Sequence, residues 1–164
     1  MKEHMTNLQN SQGFQEILET MEDGVYFTDL HRVITRWNKA AERISGYSAE
    51  AVIGSSCRDN ILVHVDEAGN SLCLGMCPLA FTMKDGQPRE TKVYLHHKEG
   101  HRVPVMIRAL PQRDGEGKII GGIELFTDMS VRENLEFQIE QLQRLAMLDP
   151  LTSLPNRRYL QSRM

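Results

Sequence analysis

The sequence lacks any apolar run approaching the ~20 residues that cross a bilayer, and residues 1–12 are polar, without the apolar segment of a signal peptide. Both absences lead to the expectation of a cytoplasmic protein. It also lacks an excess of charge of one sign. Its 19 Lys and Arg stand against 22 Asp and Glu, a formal net charge of −3, so no basic field draws it to nucleic acid or to anionic lipid. Cysteine is scarce: Cys57, Cys73 and Cys77 are the only three. An odd number cannot pair completely within the chain, and a reducing compartment disfavours structural disulfides. Their clustering in one segment asks for another explanation.

What is present is ordinary for a globular chain. A 40% hydrophobic and 25% charged composition over 164 residues predicts one core of the usual ~100–150 residues with attachments, rather than two complete domains. Phe14, Ile17, Leu18 and Met21 recur at helical spacing, which predicts an amphipathic helix over 11–22 whose stripe docks on the core or on a second subunit. Val25 to Leu30 and Val33 to Trp37, joined by His31-Arg32, read as a hairpin. Asn38 and Ser48 are N-cap residues for two short helices. Residues 54–75 carry no regular period, a long loop of the kind that is more often functional than idle. Pro78 to Lys84 reads as a helix ended by Asp85-Gly86, and three strands follow over Thr91 to His97, Arg102 to Leu110 and Lys118 to Phe126. From Ser130 the pattern becomes helical again, with Leu135, Ile139, Leu142 and Ala146 stepping by four, three and four, the spacing of a coiled-coil seam.

Three segments in this order resemble the PAS family. They are Glu22-Asp23-Gly24-Val25 leading through Thr28-Asp29 to Trp37-Asn38-Lys39-Ala40-Ala41-Glu42, then Gly46 to Gly54, then His97-Lys98-Glu99-Gly100 with the strands that end at Phe126-Thr127-Asp128-Met129-Ser130. The resemblance implies an α+β fold, a five-stranded antiparallel sheet with helices on one face, flanked by an N-terminal helix and a C-terminal signalling helix. A second resemblance is carried by Asp149-Pro150-Leu151-Thr152-Ser153-Leu154-Pro155-Asn156-Arg157-Arg158, which is similar to the D-x-L-T-x-L-x-N-R-R opening of GGDEF (diguanylate cyclase) domains. The expected organisation is an N-terminal helix over 1–22, a PAS domain over 23–130, a signalling coiled-coil helix over 131–148 and the start of a GGDEF domain over 149–164. The catalytic loop of that family comes later than Met164, so these residues are expected to make no cyclic di-GMP themselves.

Cys57, His64, Cys73 and Cys77 form C-x6-H-x8-C-x3-C, enough soft or borderline donors for one tetrahedral metal site holding zinc or an iron-sulfur cluster. Burial as small apolar residues and a transient redox disulfide remain open beside that reading. For the PAS pocket, Val25, Phe27, Ile44, Met106 and Ile123 are the expected apolar walls. Flavin is disfavoured: Cys57-Arg58 matches only the core of the N-C-R-F-L-Q segment of the light-sensing class, and Leu95 and Val105 stand where that class places asparagines. Heme would lack the usual His on the helix over Pro78 to Lys84 and would depend on Met76, Cys77 or His64. His96 and His97 are expected on opposite faces of a strand. Asp128 and Ser130 are expected to hold the last strand to the outgoing helix, with Arg132 or Lys39 as a partner of Asp128, and Asp149 and Thr152 to cap the helix beyond Pro150. The functional expectation is a regulatory module that detects a ligand, metal or redox change, dimerises through its N-terminal and signalling helices, and controls its own GGDEF domain. The alternative is a ligand-free dimerisation module.

Overall fold

The computed structural model describes residues 2–59 and 61–147. The chain divides between Asp128 and Met129 into two compact units. In the first unit, α1 (Lys2–Thr20) leads into β1 (Gly24–Asp29) and β2 (Ile34–Trp37), followed by the short helices α2 (Lys39–Ser45) and α3 (Ala49–Val52). A long loop then reaches α4 (Pro78–Asp85), and β3 (Arg89–His96), β4 (Arg102–Arg113) and β5 (Ile119–Asp128) complete a sheet in the order β2-β1-β5-β4-β3. Every pairing is antiparallel. The second unit begins with α5 (Ser130–Met147), whose residues are none of them buried. Among the described residues no helix is long and apolar enough to cross a membrane.

Local chemistry explains where the short elements begin and end. Asn38 sits in extended backbone and accepts from the Ala41 N–H, and Ser48 does the same for Ala51. Both satisfy an orphan donor of the first helical turn. Gly46 and Gly86 close α2 and α4 in the left-handed conformation, as residues without a Cβ do most readily. Where β1 meets β5, Gly121 admits no side chain, because an added Cβ would stand 1.9 Å from the Thr28 carbonyl oxygen.

The sheet buries apolar residues on both faces near β1. Tyr26, Phe126, Ile107, Val105, Val93 and Leu95 point to the side that carries α2, α3 and α4. The alternate residues Val25, Phe27, Ile123 and Leu125 point to the opposite side, where Leu18 and Met21 pack on them. The first helix is longer than the apolar stripe predicts, running from Lys2 to Thr20 rather than over 11–22. The stripe marks only the part that touches the sheet; the residues before it include the good helix formers Lys2, Glu3, Leu8 and Gln9.

One amide ties these pieces together. The Asn38 carboxamide oxygen accepts from the N–H groups of Val25 and Ala41, each at 2.9 Å. Its NH₂ donates to the carbonyls of Leu18 at 2.8 Å and Asp23 at 3.0 Å. The side chain is thus satisfied four times while the residue is 3% exposed. Asn38→Ala is expected to lower stability by about 3 kcal/mol, since it removes a helix cap and strands buried backbone groups. Asn38→Asp should fall in between, keeping the acceptor and losing the donors; urea unfolding measures the order.

Candidate functional site

The loop over residues 54–77 is stitched to the sheet at its start and in its middle. Near its start, the Ile34 N–H donates to Ser55, the Gly54 N–H to Ile34 and the Cys57 N–H to Arg32. Further on, Val65 and Tyr94 exchange two backbone bonds at 3.0 and 2.9 Å, the His96 N–H donates to Leu62 and the Arg102 guanidinium to the Val63 carbonyl. The Leu72 N–H donates to His64 at 2.9 Å, which folds the segment before Cys73 back onto His64. Asp66 organises the intervening turn by accepting from Ala68 and Asn70. Cys77 then occupies the N-cap position of α4, which has no side-chain cap.

This course carries polar groups into the interior. Glu124 on β5 points to the helix-covered side and is 1% exposed. The Tyr26 hydroxyl, from the paired position on β1, donates to Glu124 Oε1 at 3.0 Å. His64 Nε2 lies 3.6 Å from the same oxygen, and that nitrogen is buried without a hydrogen-bond partner. Cys57 and Cys77 are buried in the same core as Tyr26, and Cys73 is half-buried. Cys73 and Cys77 also line a cavity of about 280 Å³ together with Arg32, Arg58 and Lys84.

The electrostatics of this nest follow from burial. Desolvation raises the Glu124 carboxyl to about 8 against the opposing effect of the Tyr26 hydrogen bond. Desolvation, with a smaller push from Arg102, lowers His64 to about 4. The 3.6 Å approach therefore has the geometry of an ion pair without its charges: near neutral pH both groups are neutral. Burial, then the charges of Glu124 and Cys77, push the Cys57 thiol up to about 12, and burial also raises Cys73. Thiols of that kind are protonated, unlike the activated thiolate of a cysteine nucleophile.

The residues singled out from the sequence fall in several places. Cys57, His64, Cys73 and Cys77 gather on the helix-covered side, yet no three of their donor atoms lie within 4.8 Å of one another. Of the expected pocket walls, only Ile44 belongs to the helix-side core. Val25, Phe27 and Ile123 are on the other face under α1, and Met106 is on that face beside Arg108, Leu125 and Thr127. The alternation of a strand separates two sets of residues without saying which set the helices cover. Lys39 pairs with Glu42 and Arg132 with Glu136. Asp128 ends β5 and Ser130 begins α5; Asp149 and Thr152 lie outside the described residues. His96 Nδ1 meets the Tyr47 hydroxyl at 3.3 Å, while His97 stacks on His101 at 4.2 Å.

Glu124 and Tyr26 were missed. The available signal was an acid inside Ile123-Glu124-Leu125-Phe126 at the parity of Phe126, which places it inward if Phe126 is core. Among the described residues, His97, Glu99 and His101 are the one group whose ligand atoms all lie within 4.8 Å. The Glu99 N–H already occupies His97 Nδ1 at 3.1 Å, and His97 Nε2 packs against Gly46.

The model of the PAS domain matches residues 22–131. The chain belongs to the PAS domain family. Its PAS fold is similar to that of the PAS domain of a protein from Colwellia psychrerythraea, at 21% identity and a TM-score of 0.59 over 71% of this chain and 94% of that one. An RNA-binding Light-Oxygen-Voltage receptor superposes with a TM-score of 0.63 at 21% identity over 81% of this chain and 37% of its own. The Vibrio cholerae VqmA dimer does so at 0.58 and 19% identity, over 71% of this chain and 50% of its own. At these identities the likeness is one of fold. No curated protein matches the sequence. PAS domains are sensory and regulatory modules, and that is the class of this one.

Protonation of the buried pair gives a test of the geometry. Glu124 is raised from 4.5 to about 8, so folding holds its proton and loses stability as pH rises through that window. His64 is lowered from 6.5 to about 4, so its contribution is lost as pH falls through its own window. Between pH 4.5 and 6.5 the folded and unfolded chains bind equal numbers of protons at these two sites, and their joint contribution is flat. From pH 6.5 towards 8 it falls, by up to about 1.4 kcal/mol per pH unit. In chelator-treated protein, the difference in unfolding free energy between wild type and Glu124→Gln cancels the His64 contribution and should fall steadily from pH 4.5 towards 8, by up to about 1.4 kcal/mol per pH unit; a flat difference across that range contradicts the buried neutral carboxyl.

Proposed function

We propose that this PAS module registers a chemical change in its interior and passes it through α5 to an attached diguanylate cyclase, controlling synthesis of cyclic di-GMP. The observation that carries the reading is the run Asp149 to Arg158, similar to the opening of GGDEF domains, placed directly after the helix that leaves the PAS sheet. In that family two catalytic domains meet, each bringing one nucleotide, so anything that changes how two outgoing helices pack changes the rate. The helix supports such a role: Leu135, Ile139, Leu142 and Leu145 are all more than half exposed in the single chain. Apolar residues at this spacing are expected to find each other in a parallel homodimer. A ligand or ion shifts the output only by its difference in affinity for the two helix arrangements.

A ligand-free dimerisation module is the second reading, favoured by the dense packing of Phe126, Tyr26 and Trp37, whose ring centroids stand 5.5–6.3 Å apart. Joining the chain at Arg158 to a complete GGDEF catalytic domain separates the two. Under the proposal, Asp128→Ala uncouples cyclic di-GMP synthesis from the state of the PAS core, while the ligand-free reading leaves one rate throughout. The pair Leu135→Asp and Leu142→Asp should turn the dimer into a monomer by sedimentation and cut synthesis by about 100-fold, as the effective concentration of one catalytic domain for the other is lost. Cyclase activity indifferent to both changes overturns the reading.

A further inference from the structure

The orphan nitrogen of His64 faces the Glu124 carboxyl at 3.6 Å, beyond hydrogen-bonding distance. Two donors bound to one zinc-class ion at ~2.1 Å, at the tetrahedral angle, stand about 3.4 Å apart. His64 Nε2 and Glu124 Oε1 are 3.6 Å apart. Neither neutral group gains much from the other at that distance, and a buried polar nitrogen with no partner costs free energy that a ligand would offset. Thiols stand close by. Cys57 and Cys77 are buried in the core that holds Tyr26, the partner of Glu124, whereas Cys73 is only half-buried.

We propose that His64, Glu124, Cys57 and Cys77 are the four ligands of a zinc-class metal ion inside the PAS core, with Cys73 at the mouth of its access cavity. The donor set of two thiolates, an imidazole and a carboxylate suits zinc in preference to magnesium or calcium. Two thiolates and one carboxylate against a doubly charged ion leave one net negative charge. Arg32 and Arg58 line the cavity beside Cys73 and Cys77 and supply the compensating field. That cavity, about 280 Å³ and shared by Cys73 and Cys77, gives an ion a way in from solvent.

Binding must do two things. It displaces the protons of both thiols and of the carboxyl, about three per ion at neutral pH, into the buffer. It also draws the sulfurs inward, because no three donor atoms of the set lie within 4.8 Å of one another in this structure. Cys57 is clipped to the strand pair of β1 and β2 through Arg32, and Cys77 begins α4. Closing the site therefore pulls the loop and the first turn of α4 towards β5, the strand that ends at Asp128. Only this use of the ion as a signal rests on the proposed control of a cyclase; the binding site itself does not.

The test uses the reduced, chelator-treated 164-residue chain. Zinc(II), in competition with a chromophoric chelator, should bind one equivalent. Cobalt(II) should give thiolate-to-metal charge-transfer absorption, roughly halved in Cys57→Ser and in Cys77→Ser and retained in Cys73→Ser. Glu124→Gln, which keeps shape and fold, should weaken zinc binding by at least about 10- to 100-fold, and His64→Ala likewise in protein whose circular dichroism is native. Absence of zinc uptake by folded wild type overturns the site. So does charge-transfer absorption that Cys73→Ser abolishes and Glu124→Gln leaves at full affinity, since the ligands would then be others. Metal uptake is read on the chain alone, and cyclic di-GMP synthesis on the fused cyclase, so failure of one is distinguishable from failure of the other.

Discussion

The domain is held at its beginning by a single fully satisfied amide. Asn38 reaches the end of α1, the link into β1, β1 itself and the first turn of α2 with its four hydrogen bonds. Each contact alone contributes modestly, since folding exchanges water hydrogen bonds for internal ones. Their convergence on one rigid side chain fixes the relative placement of three elements that share few other polar contacts. With β1 fixed, Tyr26 is aimed at Glu124 and Phe27 at Leu18, so the division of the sheet into an inner and an outer face follows from it.

The interior set by that division is a mixture of tight apolar packing and a polar pocket. Val93, Leu95, Val105, Ile107 and Ala109 pack with no exposed surface on β3 and β4. One strand away, a carboxyl, an imidazole and a phenol are buried at the cost of their solvation. Polar groups placed so deep are retained for what they specify or bind rather than for stability. Tyr26 answers one oxygen of Glu124; the His64 Nε2 is buried without a hydrogen-bond partner.

Most of the fold was legible in the sequence because its punctuation is local. Asn38 and Ser48 declare helix starts by their own side-chain chemistry, and Lys98-Glu99-Gly100 and Asp114-Gly115 announce turns without help from distant residues. The faces were harder. Val25, Phe27 and Ile123 alternate as a core set should, and they are indeed covered, but by α1 rather than by α2 to α4; only tertiary packing decides between two apolar sets. Of the candidate site, the cysteines and His64 were readable as a cluster in one loop. Glu124 was not, because an acid flanked by Ile123 and Leu125 on an apolar strand is masked by its neighbours, and its partner Tyr26 lies 98 positions earlier in the chain.

The loop between α3 and α4 has a further role in the architecture. Its early residues bond to β2 at one margin of the sheet, through Ile34 with Gly54 and Ser55, and its middle bonds to β3 at the other, through Val65 with Tyr94 and Leu62 with His96. Those two strands are the ones with unpaired backbone on their outer sides, the groups through which sheets aggregate. One segment thus guards both margins. A chemical event that loosens the loop would therefore expose two sticky borders at once, linking the loss of whatever the core holds to the solubility of the domain as well as to its shape.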